Sequence, residues 1–172
     1  MPNILRSVII LVIILSFAAG CGERMTKEQM FALAEKHETQ DNYESAMKTY
    51  SKIVKKFPDS EMADQAQYKI AYIYSNNLND FEKSVESHKL LLEKYPESKY
   101  AVQSLFMIGF IYANNIQDLE KAKEYYKKFL ETYPENELVS SVQWELDHLG
   151  QDINEIEFLN KEDDTQKEGV AK

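Results

Sequence analysis

The sequence is poor in the residues that break or cross-link a chain. Five glycines, four prolines and one cysteine are spread over 172 residues. A lone cysteine excludes an intrachain disulfide framework. Scarce glycine and proline leave few of the tight turns that short-stranded sheets require. Positive charge is also short: 20 Lys and Arg face 29 Asp and Glu, a formal net charge of −9. Such a surface repels phosphate backbones, and no basic stripe offsets it, so nucleic acid is not an expected partner. Chemistry-bearing motifs are missing as well. His37, His88 and His148 lie 51 and 60 residues apart, and none has a second ligand at the spacing of a zinc motif. There is no glycine-rich phosphate loop and no nucleophile elbow. The expectation is a protein that is not an enzyme, with no catalytic residue, metal, cofactor or small-molecule substrate.

Long apolar runs are equally rare. The one that stands out spans Ser7 to Gly20, 14 residues, after Arg6; a bilayer-crossing helix needs about 20. A cation, a short apolar core and the small-residue exit Ala18-Ala19-Gly20 read as an export signal over residues 1–20. A buried N-terminal helix fits less well, because no other segment offers comparable apolar surface to cover it. Ala18-Ala19-Gly20-Cys21 resembles the lipobox of bacterial lipoproteins, with Ala18 where Leu is commonest. That resemblance implies that Cys21 is acylated and becomes the first mature residue. Cys21 has no disulfide partner in the chain, and it sits where the apolar run gives way to polar sequence. At about 0.8 kcal/mol per buried methylene, two or three acyl chains make a stable anchor. Gly22 stands where an Asp after the cysteine would retain the protein at the inner membrane, so the resemblance implies the periplasmic face of the outer membrane.

What is abundant is helix-forming sequence with a repeat in it. Phe57-Pro58-Asp59-Ser60 returns as Tyr95-Pro96-Glu97-Ser98 and as Tyr133-Pro134-Glu135-Asn136, each time after 38 residues. Ala46, Ser84 and Ala122 recur twelve residues before the prolines. Asp41/Asn42, Asp80 and Asp118 can cap one helix of each unit, and Ser60, Ser98 and Asn136 can cap the next. The residue before each proline disfavours helix and ends the segment. Thr26-Lys27-Glu28-Gln29 reads as a capping box. The predicted helices are 26–39, 42–56, 61–76, 80–94, 99–114, 118–132 and 137–149, with turns at Asn76-Asn77 and Asn114-Asn115. The last helix copies the first half of a fourth unit and is expected to cap the stack. Residues 152–159 read as a short helix, and 160–172 as a solvated tail almost without apolar side chains. The expected organisation is a signal at 1–20, a lipidated N-terminus and linker at 21–25, a repeat domain at 26–149 and a terminal segment at 150–172.

The pattern Ile108-Gly109, Tyr112, Ala122, Tyr126 and Pro134 resembles the tetratricopeptide repeat, a helix–turn–helix unit that stacks into a superhelix. Ile70-Ala71, Tyr74, Ser84 and Pro96 match in the unit before, and Leu33-Ala34, Ala46, Tyr50 and Pro58 in the first. The fold implied is all-α, about three repeats and a capping helix. The period of 38 departs from the usual 34, as do Ile53, Leu91 and Phe129 where Ala is usual. The long Tyr-Pro-Glu-Ser linkers are similar to those of the outer-membrane barrel-assembly lipoprotein and of the periplasmic accessory repeat protein of the Tol-Pal system, both adaptors.

In such a stack the first helices line a concave surface. Phe31, Tyr68, Phe106 and Trp144 share one register there, three residues before the small Ala34/Ala71/Gly109 position in the three full units. Glu35, Tyr72, Phe110 and His148 share the register one residue after it. Aromatics combine large contact area with few rotors and concentrate in binding hot spots. The candidate partner-binding set is therefore Phe31, Tyr68, Tyr72, Phe106, Phe110 and Trp144, with the competing reading that part of it packs inside the stack. Glu28, Gln65 and Gln103 occupy places where a clamp for C-terminal carboxylates would need cations. The expected function is a membrane-anchored adaptor for envelope or outer-membrane proteins in envelope assembly. An accessory lipoprotein of a secretion, pilus or motility machine is the alternative, and a cell-wall hydrolase the remote third.

Overall fold

The structure, a computed structural model, describes residues 25–151. The expected signal segment, the acylation site Cys21, the short helix at 152–159 and the tail at 160–172 lie outside the described residues. Those described are all-helical: α1 (Lys27–Thr39), α2 (Tyr43–Lys56), α3 (Glu61–Asn76), α4 (Phe81–Lys94), α5 (Lys99–Ile111), α6 (Leu119–Thr132) and α7 (Val139–Asp147). They form the expected tetratricopeptide-type stack of three helix pairs and a closing helix.

Local chemistry starts these helices where the repeat places the caps. Thr26 and Gln29 close the capping box at α1. Side-chain oxygens of Asn42, Asp80 and Asp118 accept from backbone N–H groups of Ser45, Lys83 and Lys121 at the second helices. Ser60 and Ser98 do the same for α3 and α5. Each such cap contributes about 1 kcal/mol. At α7 the expected start is shifted: Asn136 accepts from Leu138 N–H, closing a turn first, and the helix begins at Val139 instead of residue 137.

Turns within the pairs share one device. Asp41, Asn79 and Gln117 have φ of 55, 53 and 61°, a left-handed residue just before each cap, at the repeat spacing of 38. The second and third turns carry one residue more than the first. The extra residue is taken up by widening: Leu78 N–H bonds Ile73 C=O, and Tyr112–Ile116 forms a π-helical turn. Asn114 and Asn115, expected as the turn itself, therefore lie inside this widened helix end, and α5 stops its regular α-geometry at Ile111.

First helices touch one another along the stack, α1 to α3 and α3 to α5, and each also packs on its own second helix. The first helices thus form the tighter, inner layer. Core side chains lie between the layers: Ala46, Tyr50, Ile53, Leu91, Tyr126 and Phe129 are fully buried. Ile53, Leu91 and Phe129, the bulky residues at a usually small position, are wholly buried, Ile53 in one cluster with Ala66 and Ile70 of the next pair. Gly109 marks the closest approach. A Cβ there would stand 2.7 Å from two ring carbons of Tyr126.

Candidate partner-binding face

The two aromatic registers have different fates. In each pair the register three residues before the small position turns onto the second helix. Phe31 meets Tyr50 edge-on at 5.2 Å between centroids, Tyr68 meets His88 at 5.6 Å, and Phe106 meets Tyr126 at 6.3 Å. Tyr50, His88 and Tyr126 are themselves one repeat apart. This is one packing slot filled three times. Phe31 is 7% exposed and belongs to the core; Tyr68 and Phe106 are half-buried. Tyr68 also stacks on Tyr100 at 5.1 Å.

Trp144 holds the same register in α7, where no second helix follows among the described residues. It is 43% exposed and stacks on His148 at 4.5 Å.

The register one residue after the small position opens outward. Glu35 and Tyr72 are exposed, Tyr72 at 44%. Phe110 is half-buried, 5.9 Å from Phe106, and lines a cavity of about 280 Å³ with Asn76, Asn79, Met107, Ile111 and Asn115. Asn76 Nδ2 donates to Tyr72 C=O and Ser75 Oγ, fixing its amide at the rim. Asn76 and Asn115 read from sequence only as turn residues, and Asn79 was not singled out; their place beside an aromatic register was the signal that they also frame a recess.

Between the layers the buried polar groups are mostly satisfied, which holds the inner face rigid. Ser84 Oγ donates to Ala71 C=O, and Gln67 Nε2 to Ser87 C=O. Tyr50 donates to the Glu38 carboxylate, which Lys69 also engages at 3.3 Å, tying the first pair to the second. Burial and that carboxylate keep the Tyr50 phenol protonated. His88 differs. Its Nδ1 lies 3.0 Å from Ser104 Oγ, its Nε2 has no partner, and burial lowers its pKa to about 4. It fills the aromatic slot as a neutral ring, and neither His37 nor His148 lies with it in a ligand set: among the described residues no three His, Cys, Asp or Glu side chains gather as metal ligands.

A family model described as YfiO, outer membrane lipoprotein, matches residues 23–158. The chain belongs to the YfiO family of outer membrane lipoproteins. The match spans the whole helical stack, so the family assignment and the repeat architecture rest on the same residues. It places the protein at the outer membrane, and its work in the cell envelope. No helix among the described residues is long and apolar enough to cross a membrane. No curated protein matches the sequence.

Proposed function

We propose that this YfiO-family member is a non-enzymatic adaptor, held at the periplasmic face of the outer membrane by acylated Cys21, that binds a segment of an envelope protein along the first-helix face. The observation carrying this reading is the outward register of Tyr72 and Phe110 on neighbouring, mutually packed first helices, with half-buried Phe106 and Tyr68 beneath them. Trp144 extends the aromatic row at the far end; Phe31, being core, supports the face from below and does not touch the partner. The chemistry fits an extended or helical segment: aromatic platforms for apolar side chains, and at the Phe110 recess the amides of Asn76, Asn79 and Asn115 for backbone groups. The domain bounds that go with this reading are a signal at 1–20, a short tether from Cys21, the stack at 26–149 and a terminal segment from 150.

Tyr72→Ala with Phe110→Ala is the direct test, in protein purified from envelopes after crosslinking. Loss of captured envelope proteins with the far-ultraviolet circular dichroism retained supports the groove. Unchanged capture refutes it, and loss of helicity assigns these rings to folding.

A further inference from the structure

The outer layer carries a feature that the groove leaves unused. In a chain of net charge −9, α2 holds Lys48, Lys52, Lys55 and Lys56 against one acid, Glu44. All four lysines are exposed, and none forms an ion pair within 4.0 Å among the described residues, where the pairs are Lys27–Glu28, Lys69–Glu38, Lys83–Asp80 and Lys121–Asp118. Lys48, Lys52 and Lys55 follow the i, i+4, i+7 spacing of a single helical stripe. It lies on the side opposite Ala46, Tyr50 and Ile53, which face the core. The corresponding positions of α4 are Glu86, Leu90 and Glu93, and those of α6 are Glu124, Lys128 and Glu131. The ridge is therefore specific to the first unit.

On the proposed acylation of Cys21, the first unit is also where the chain is tethered. Met25, Thr26 and Lys27 line the same cleft, about 920 Å³, as Lys56 and Phe57. The start of α1 and the lysine-rich end of α2 thus share one corner. From Cys21 to Lys27 is six residues, a reach of at most about 20 Å even fully extended. An acyl chain on Cys21 holds that corner within a few Debye lengths of the headgroups, since that length is about 8 Å at physiological ionic strength.

We propose that the α2 lysine ridge rests on the anionic lipid headgroups of the leaflet that holds the anchor, fixing the first repeat flat on the membrane and turning the inner face away from it. This rests on the acylation of Cys21. Each lysine near an anionic surface raises membrane partitioning about fivefold, and long side chains reach headgroups while their stems stay on the protein. Three together raise partitioning by about two orders of magnitude.

The test uses the acylated full chain in vesicles of roughly one part phosphatidylglycerol to three of phosphatidylethanolamine, an anionic surface of the required kind. A donor dye is placed on Ser51→Cys in α2 or on Ser140→Cys in α7, with an acceptor on the lipid headgroups. Transfer should be strong from position 51 and weak from 140. The contrast should vanish with phosphatidylethanolamine alone, with Lys48→Gln, Lys52→Gln and Lys55→Gln together, or in high salt. Equal transfer from both positions, or a contrast that persists without phosphatidylglycerol, whether or not it depends on the lysines, overturns the proposal. Intact mass at residue 21 reports the anchor separately. If that thiol is free, the anchor reading fails, and flotation of the chain with the same vesicles decides the ridge: lysine-dependent, phosphatidylglycerol-dependent flotation upholds headgroup contact, and its absence refutes it.

Discussion

Gly109→Ala sets two effects of similar size against each other, and the geometry decides between them. In a helix interior alanine is favoured over glycine by about 1 kcal/mol, so at an open site the substitution would stabilise. Here the new Cβ would lie 2.7 Å from Cδ1 and Cε1 of Tyr126, where 3.4–4 Å is ordinary contact. The ring cannot swing away, because Tyr126 is fully buried and lies against Phe106. Relief must come from moving α5 off α6, and overpacking of this kind costs about 1–3 kcal/mol. The net expectation is a loss of about 1 kcal/mol, which for a domain of this size lowers the Tm by about 2–5 °C. Thermal melts by circular dichroism and urea midpoints measure it. The decisive arm is the cycle with Tyr126→Leu: once the ring is gone, Gly109→Ala should become neutral or stabilising, a coupling of about 2 kcal/mol. A stabilising Gly109→Ala in the intact background, or no coupling to Tyr126, would falsify the claim that this glycine exists to admit the ring.

Two further outcomes follow from single side chains. The pKa of His88 is depressed from 6.5 to about 4, so the native state declines a proton that the unfolded chain accepts. Its contribution is complete above pH 6.5 and is lost at up to 1.4 kcal/mol per pH unit between 6.5 and 4, about 3 kcal/mol in all. The urea midpoint of His88→Leu should accordingly depend less on pH across that window than the parent's, and parallel curves would contradict it. Gln117 sits at φ 61°, a conformation that costs a side-chain-bearing residue about 1–2 kcal/mol. Gln117→Gly should stabilise the fold by up to about 1 kcal/mol after glycine's extra chain entropy, seen as a higher urea midpoint, whereas a lower midpoint would show that the Gln side chain itself holds the turn.

The helices were legible because every boundary has its own chemistry. A proline ends each second helix, and a short oxygen-bearing side chain opens the next element. Where that chemistry was ambiguous the reading slipped by two residues: Asn136 can cap a helix or close a turn, and only the fold selects the turn. The π-helical end of α5 was hidden for a different reason. One extra residue in a turn looks the same in sequence whether it loops out or widens the helix. In the candidate face, helical spacing put Phe31, Tyr68 and Phe106 on one stripe correctly, but a stripe does not say which neighbour it meets. The equal spacing of Tyr50, His88 and Tyr126 was the clue. Two aromatic registers with a common period, one on each helix of a pair, are expected to close on each other before either offers itself to a partner.

On the adaptor reading, that closure concentrates recognition in a single register. Rings at Phe31, Tyr68 and Phe106 are committed to the slot made by Tyr50, His88 and Tyr126, so changing one of them disturbs the pair that holds it. The following register carries no such duty. It reads Glu35, Tyr72, Phe110 and His148 from the N-terminal end outward, an acid, two aromatics and an imidazole where the packed register is aromatic throughout. Side chains that stability leaves free to differ are the ones that can distinguish partners. On the adaptor reading, the order along the groove then has a direction: a cationic or polar end of the bound segment toward the first repeat, and apolar side chains over Tyr72 and Phe110. Reversing the charge with Glu35→Lys should weaken capture of such a segment while leaving the melt unchanged, because Glu35 is exposed and takes no part in the Glu38–Lys69 tie between the first two pairs.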